Sequence, residues 1–283
     1  MTAAKTVSDI MTPAPIVVEV PGSRSDAINL MVRHKLTGLP VVRSSDGKLM
    51  GIVSRRDIFR KFDEEQLSLI MKQNCIVISP GATLPEAARI FASKRIHRLP
   101  VVENGRLVGI ITPTDLLREI RNMKTDMTAD DVIRTTCVTV YIDDPLSYTV
   151  NAMRISDVTA VSVLDAQGAL VGILTDRDLF SDQLSDEQAT AKLGISDAKL
   201  AGIRNVLPLF YTATDEYTKN DRTVKDYMIP KPLTVFRKTA LNEVARLMVT
   251  NDFGQVPVHG TRDELIGMIY DVDVLCALFG GVE

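Results

Sequence analysis

The chain has 283 residues, a formal net charge of −3 and 45% hydrophobic residues, which is typical of a folded, soluble protein. This length exceeds what one hydrophobic core usually organises, so we expect more than one globular body. The slightly acidic balance disfavours nucleic acid as the main partner. No apolar run approaches the ~20 residues that a membrane-spanning helix needs, so no membrane contact is expected.

The cysteines and histidines favour a reducing compartment and no metal site. Cys75, Cys137 and Cys276 are far apart and odd in number, as is typical of buried thiols in the cytoplasm. The histidines show no metal-ligand spacing. The N-terminus also lacks the layout of a signal peptide. We therefore expect a cytoplasmic protein without a bound metal.

Along the chain, the same series of predicted elements recurs four times. Each copy begins with a lead-in segment, which reads DIMTP, LIMKQ, DVIRT and DYMIP in turn. A short opening strand rich in Val and Ile follows, and then a helix. Capping-box spacing marks the helix start at Ser23 and Asp26 in the first copy and at Thr83 and Glu86 in the second. The third copy has the weakest apolar face on this helix.

Two more strands and a second helix complete each copy. The second strand reads LPVV, LPVV, VSVL or VPVH, and a turn such as Asn104-Gly105 joins it to the third strand. We expect a glycine to start that third strand and an aspartate to open the second helix. These Gly-apolar-apolar-X-X-X-Asp motifs run from Gly51 to Asp57, Gly109 to Asp115, Gly172 to Asp178 and Gly267 to Asp273.

The repeats divide the chain into repeat 1 (7–67), repeat 2 (68–126), repeat 3 (127–183), an insertion (184–222) and repeat 4 (223–283). One such unit has too little core to be stable alone. We therefore expect repeat 1 to pair with repeat 2, and repeat 3 with repeat 4, burying both sheet and helix faces. The insertion has apolar residues at partly helical spacing. It is predicted to be a helix packed over the second pair or, alternatively, a ligand lid or partner-docking element.

The order of these segments resembles the cystathionine-β-synthase (CBS) domain, of which two copies form a Bateman module. The resemblance runs from about Val7 to Phe279, and four-repeat members include stand-alone archaeal proteins and the γ subunit of AMP-activated protein kinase. The stretch RIHRLPVV from Arg95 is similar to the γ-subunit pattern. The resemblance implies an α+β fold of four βαββα repeats, paired into two Bateman modules in a flat pseudo-symmetric disc.

The resemblance also implies ligand sites in the clefts between paired repeats. A carboxylate can accept hydrogen bonds from both hydroxyls of a ribose, and hydroxyl or basic side chains suit phosphates. In repeat 4 Tyr270 replaces the hydroxyl residue, which makes that cleft doubtful. Nucleotide binding is predicted for the residues that match the family positions: Thr12, Val17, Ser54, Arg56, Asp57, Val77, His97, Arg98, Thr112, Asp115, Thr175, Arg177, Asp178 and Asp273.

Simpler roles remain open for several of these residues. Each aspartate could act only as a helix cap, and the arginines could be solvated or paired with carboxylates. The recurrence of a hydroxyl, an aspartate and a basic residue in three repeats favours a binding role. No motif of a hydrolase nucleophile, a metalloprotease, a P-loop or a dinucleotide-binding fold occurs in the sequence.

We therefore expect a regulatory module with no catalytic residues and no required cofactor. It would bind AMP, ADP or ATP and sense energy state or a metabolite through a ligand-biased rearrangement of its paired repeats. Its expected partners are the nucleotide and a regulated protein, and it could form a homodimer. Two alternatives stay open: a sensor of S-adenosylmethionine or another ligand, and a scaffold with vestigial clefts that contacts a protein or nucleic acid.

Overall fold

The computed structural model describes residues 4–34, 36–61, 64–134, 136–175, 178, 222–262 and 264–280. The predicted site residue Arg177 and almost all of the predicted insertion lie outside these ranges. Among the described residues, no helix has the length and apolar character needed to cross a bilayer.

Repeat 1 shows the predicted order of elements. Strand Val18–Val20 leads to helix Arg24–His34, then to strands Gly38–Arg43 and Leu49–Ser54, and finally to helix Arg55–Arg60. The opening strand pairs in parallel with the second strand, and the second strand pairs antiparallel with the third. The predicted α+β class is thereby confirmed.

As far as the structure describes them, the other three repeats follow the same plan, with a single bridge from Ile78 to Val101 in place of the opening strand of repeat 2 and with the second helix of repeat 3 outside the described residues. Repeat 2 has helix Leu84–Lys94, strands Leu99–Glu103 and Arg106–Ile111, and helix Pro113–Ile120. Repeat 3 has strand Thr139–Tyr141, helix Leu146–Ile155, and strands Ala160–Leu164 and Leu170–Thr175. Repeat 4 has strand Val235–Phe236, helix Leu241–Asn251, strands Gln255–His259 and Leu265–Tyr270, helix Asp271–Val274 and the 3₁₀ helix Leu275–Leu278.

The lead-in segment of each repeat joins the sheet of its partner repeat. Strands Thr12–Pro13, Lys72–Gln73 and Ile229–Pro230 pair antiparallel with the third strands of repeats 2, 1 and 3, respectively. Arg134 makes the equivalent bridge to Met268 in repeat 4. Repeats 1 and 2 therefore exchange lead-in segments, and so do repeats 3 and 4, which confirms the expected pairing.

The close approach of the lead-in segments explains the motif glycines. A Cβ atom on Gly51 would lie 2.3 Å from the backbone oxygen of Lys72, and one on Gly267 would lie 2.3 Å from that of Arg134. A side chain at either place would push the exchanged segment away from the sheet. The expectation that this glycine starts the third strand was wrong, because Gly51 lies inside strand Leu49–Ser54.

Two hydrophobic cores join the pairs to each other. One core combines buried residues of repeats 1 and 3, such as Ile28 and Met153, and the other combines repeats 2 and 4, such as Phe91 and Met248. We had expected the helix faces to be buried within each pair. Instead, buried residues of repeat 1 share a core with those of repeat 3, and helices Leu84–Lys94 and Pro113–Ile120 of repeat 2 pack on repeat 4.

Each repeat thus contacts two neighbours through two kinds of surface. Sheet exchange joins repeat 1 to 2 and repeat 3 to 4, while the shared hydrophobic cores join repeat 1 to 3 and repeat 2 to 4. These contacts close a ring in the order 1, 2, 4, 3, in which exchanged sheets and shared cores alternate.

Candidate functional site

The four motif aspartates occupy equivalent places after the third strand of each repeat. Asp57, Asp115 and Asp273 are buried, with 6%, 8% and 5% of their surface exposed. The Oδ2 atom of each accepts a hydrogen bond from the backbone N–H three residues earlier, at 2.9, 2.8 and 3.1 Å. Asp178 accepts the same bond at 2.8 Å. One carboxylate oxygen of each aspartate is therefore held by the start of the second helix.

The motif hydroxyl completes this arrangement in three repeats. Thr112 Oγ1 donates to Asp115 Oδ2 at 2.7 Å, Thr175 Oγ1 donates to Asp178 Oδ2 at 2.6 Å, and Ser54 makes the same contact in repeat 1. The hydroxyl residue is the N-cap and the aspartate is the third residue of the helix. The predicted alternative, in which the aspartate itself is the N-cap, was therefore wrong in its geometry.

The second oxygen of the aspartate, Oδ1, lies near basic side chains. Lys72 Nζ, from the lead-in segment of repeat 2, is 3.7 Å from Asp57 Oδ1. Arg118 Nη1, from the helix that Asp115 caps, is 3.1 Å from Asp115 Oδ1. The capping bonds use Oδ2, so Oδ1 is the atom through which Asp57 and Asp115 meet a charged partner.

Asp273 has the most extensive contacts of this kind. Its Oδ1 accepts hydrogen bonds from Arg95 Nη1 at 2.9 Å and from Arg134 Nε at 2.9 Å, and Arg134 Nη2 lies 2.8 Å away. The hydrogen bond to Asp273 raises the pKa of Arg134, although burial opposes that shift. The guanidinium of Arg95 also lies over the ring of Tyr270, 5.6 Å from its centroid.

Arg98 of repeat 2 reaches the cleft of repeat 1. A Cβ atom on Gly38 would lie 2.9 Å from Arg98 Cζ, so the guanidinium lies directly against that backbone. Burial lowers the pKa of Arg98 to about 10, with a further contribution from the charge of Arg55, while Asp57 opposes the shift. A cation held partly out of water in this way is suited to an anionic ligand group.

Arg56 and His97 face other repeats across the helix interfaces. Arg56 Nη1 lies 3.2 Å from Asp157 Oδ1 of repeat 3, and His97 Nδ1 lies 3.4 Å from Asp271 Oδ2 of repeat 4. In this structure both residues therefore connect the two pairs, and any contact with a ligand would compete with these carboxylates.

The residues predicted to line a base pocket are spread over the sheet edges. Thr12 is exposed and pairs with Ile110, so it lies beside the motif of repeat 2 and not that of its own repeat. Val77 is exposed and Val17 is half-buried. An exposed Val77 offers an apolar contact for a flat aromatic base.

Sequence reasoning missed Lys72, Arg95 and Arg134 as residues of the clefts. For two of them the signal was present in the lead-in segments, because the fourth letters of DIMTP, LIMKQ, DVIRT and DYMIP occupy one structural position. These four residues pair with the residue that follows the motif glycine of the partner repeat: Thr12 with Ile110, Lys72 with Ile52, Arg134 with Met268 and Ile229 with Ile173. One lead-in residue therefore lies beside each motif.

Metal binding finds no support in the part of the chain that the structure describes. No group of three His, Cys, Asp or Glu side chains there has an arrangement that could hold a metal ion. The clefts are built instead from carboxylates, hydroxyls and guanidinium groups, which are hydrogen-bonding groups for an organic ligand.

Comparison with known protein families identifies the repeat. A family model described as the CBS domain matches residues 7–64, 67–122, 129–184 and 224–280. The matches include all four motif aspartates and all four lead-in segments. Together they cover most of the chain.

Individual relatives cover different shares of the chain. Protein MJ1225 of Methanocaldococcus jannaschii, described as uncharacterized, is 28% identical over 195 residues, which is 61% of this chain and 68% of that protein. Inosine-5'-monophosphate dehydrogenase of Staphylococcus epidermidis is 38% identical over 94 residues, but these are only 19% of the enzyme. That similarity therefore concerns a small part of the enzyme.

Two solved structures share the complete fold. The crystal structure of MJ1225 aligns with a TM-score of 0.72 at 23% identity, covering 96% of this chain and 99% of that chain. An uncharacterized conserved protein of Pyrococcus horikoshii aligns with a TM-score of 0.70 at 24% identity, covering 97% and 100%. The arrangement of four repeats is thus one that other proteins also adopt.

Proposed function

Because this chain belongs to the CBS-domain family and carries four such domains, we propose that it is a regulatory module that binds AMP, ADP or ATP in the clefts between its paired repeats. The bound nucleotide favours one arrangement of the pairs over another and so reports energy state or metabolite level to a regulated protein partner. In this proposal the module acts in the cytoplasm and catalyses no reaction.

The observation that carries the proposal is the environment of the motif aspartates. A helix cap uses only one carboxylate oxygen and works well in water, so it does not require burial. Asp57 and Asp115 are nevertheless buried, and their remaining oxygens face Lys72 and Arg118, whose side chains are 68% and 57% exposed. Such exposed cations can move aside at little cost, and the two hydroxyls of a ribose can then bind the carboxylate.

The charges around the cleft of repeat 1 support a phosphorylated ligand. Arg98 is held against Gly38, and its lowered pKa reflects burial and the nearby charge of Arg55. A phosphate would add negative charge beside this guanidinium, to which Asp57 already contributes. Lys72, once displaced from Asp57, would also lie within the same cleft. An adenosine nucleotide combines these groups with a base that suits the exposed Val77.

Isothermal titration calorimetry with the full chain tests this proposal. AMP, ADP, ATP and S-adenosylmethionine are titrated into wild-type protein and into Asp57→Asn, Asp115→Asn and Asp178→Asn. Each substitution should weaken nucleotide binding at one cleft by about tenfold or more, because a hydrogen bond to a charged group is worth roughly 1.5–3 kcal/mol. Asp46→Asn, in the exposed hairpin turn of repeat 1, is the matched control.

The possible results separate the alternatives. Unchanged stoichiometry and affinity in all three variants would show that these aspartates do not bind the ligand. Heat with S-adenosylmethionine alone would favour a sensor of that ligand. No heat from any of the four compounds, together with retention of DNA or RNA on a filter, would favour the scaffold alternative.

A further inference from the structure

The four clefts differ at one equivalent position. We number each cleft by the repeat that supplies its motif aspartate. The lead-in residue beside that motif is Lys72 in cleft 1, Thr12 in cleft 2, Ile229 in cleft 3 and Arg134 in cleft 4. All four occupy the same register, opposite the residue after the motif glycine. A difference in side chain at this position is therefore a difference in cleft chemistry and not in backbone placement.

In cleft 4 the aspartate is already occupied by the protein itself. Asp273 Oδ2 accepts a hydrogen bond from the backbone N–H of Tyr270. Its Oδ1 atom lies 2.8–2.9 Å from guanidinium nitrogens of both Arg134 and Arg95. A ribose would have to displace two guanidinium groups and leave both without this carboxylate. The three residues come from repeats 2, 3 and 4, so the same ion pairs also tie these repeats together.

The other clefts present smaller obstacles at the same position. In cleft 1, Lys72 is 3.7 Å from Asp57 and mostly exposed, so water screens the pair strongly. In clefts 2 and 3, Thr12 and Ile229 carry no charge. Arg118, beside Asp115, belongs to the same helix as that aspartate and is itself exposed.

We propose that the lead-in residue beside the motif aspartate determines which clefts accept a nucleoside, and that Arg134 closes cleft 4 by occupying the carboxylate that a ribose would need. This inference rests on the proposed function, since it concerns which of the clefts bind the nucleotide. In cleft 4 the ion pairs of Asp273 then connect repeats 2, 3 and 4, and the ligand sites are confined to clefts 1, 2 and 3.

An exchange of residues between clefts 2 and 4 tests the inference. Thr12→Arg places the cleft 4 residue in cleft 2, and Arg134→Thr makes the reverse change. Bound ATP and AMP are counted by native mass spectrometry and calorimetry on the full chain. Thr12→Arg should lose the same ligand that Asp115→Asn loses, with at least a tenfold fall in affinity. Asp46→Asn, in the exposed hairpin turn of repeat 1, is again the control and should bind as the wild type does.

Cleft 4 is tested by introducing Asp273→Asn into the wild-type protein and into the Arg134→Thr variant. The Asp273→Asn substitution alone should leave the number of bound nucleotides unchanged. Arg134→Thr leaves only the partly exposed Arg95 on Asp273, a single cation that a ribose can displace, so this variant should gain one ligand. The double variant Arg134→Thr/Asp273→Asn should lose it again. Melting temperatures establish that each variant is folded, because Arg134→Thr and Asp273→Asn both remove ion pairs between repeats.

The outcomes distinguish this inference from the proposed function. If neither wild-type protein nor Arg134→Thr binds any nucleotide, the proposed function itself is wrong. If the wild type binds nucleotide and Asp273→Asn reduces the number bound, only the closure of cleft 4 is overturned. Wild-type binding by Thr12→Arg, or no gain in Arg134→Thr, would show that the lead-in residue does not control occupancy.

Discussion

Arg98 is a cation whose charged form is disfavoured by its surroundings in the fold. Its pKa falls to about 10, first through burial and then through the charge of Arg55. At neutral pH, below this value and below the ordinary arginine pKa, the group is charged in both the folded and the unfolded chain. The folded state therefore bears the whole unfavourable shift, which begins to fall when the pH rises through about 10 and is gone only above the ordinary pKa of arginine.

Replacement of Arg98 should therefore separate stability from binding. Arg98→Met keeps an unbranched stem but removes the charge, so its urea-unfolding midpoint should equal or exceed that of the wild type. Its affinity for ATP should fall by about tenfold or more, since a charge-assisted hydrogen bond is lost. Arg98→Lys, which keeps the charge, should retain more of the affinity. A destabilised Arg98→Met protein with normal ATP affinity would contradict this interpretation.

At the scale of single elements, the exchanged lead-in strands depend on the motif glycines. These strands are two residues long and are held by short ladders against the third strand of the partner repeat. At Gly51 and Gly267 the closest approach is made by a backbone oxygen, which cannot move aside as a flexible side chain can, whereas at Gly109 and Gly172 it is made by the Sδ atom of Met11 or Met228. The glycine is therefore needed for a contact between repeats and not for a turn.

Gly51→Ala should destabilise the protein by about 1–3 kcal/mol, the usual range for overpacking a closely packed site. Its Cβ atom would lie 2.3 Å from the Lys72 oxygen, so the lead-in strand of repeat 2 would have to shift. Gly81→Ala is the control, because its nearest neighbour would be Ser79 Oγ at 3.9 Å. Urea unfolding measures both. Equal stability of the two variants would show that the lead-in strand yields without cost.

Local elements were predictable from the sequence because their signals are local. The capping boxes at Ser23 and Thr83 form as predicted, and the Asn104-Gly105 turn adopts the left-handed backbone that such a pair favours, with φ of 50° and 76°. The weak helix face of repeat 3 nevertheless forms a helix of similar length. There Thr149 is fully buried with no hydrogen-bond partner for its hydroxyl among the described residues. Tertiary packing outweighs the local pattern at this position.

Contacts between repeats could not be predicted in the same way. The lead-in segments showed no periodicity, and their partners lie in another repeat, so the role of Arg134 beside Asp273 was not visible from either segment alone. The choice of helix interface was also undetermined, because equivalent apolar faces in four repeats allow several pairings. Only the assembled fold selects repeat 1 with 3 and repeat 2 with 4.

At the scale of the whole molecule, each half of the chain forms its sheets from its own strands, but its hydrophobic cores need residues of the other half. Repeats 1 and 2 exchange lead-in strands only with each other, so their clefts form within the first half. Their helix faces, however, are covered by repeats 3 and 4. A half chain would therefore expose a large apolar surface, which proteins usually bury by association.

Residues 1–126 alone should consequently form a dimer, in which a second copy covers the helix faces. Size-exclusion chromatography with light scattering should give twice the mass of the half chain, and dilution should lower its unfolding midpoint, as expected for coupled folding and association. The full chain at the same concentrations is the control. A stable monomer of the half chain would show that the helix interfaces are not needed for folding.

The ring has the organisation of a two-subunit assembly, with the two halves of the chain in place of two subunits. In an assembly of two identical half chains, the residue corresponding to Thr12 would have to equal that corresponding to Arg134, and Lys72 would have to equal Ile229. A single continuous chain has no such constraint, so each of its four clefts can change independently of its counterpart. A single chain can therefore carry four clefts that all differ, whereas two copies of a half chain could carry only two kinds.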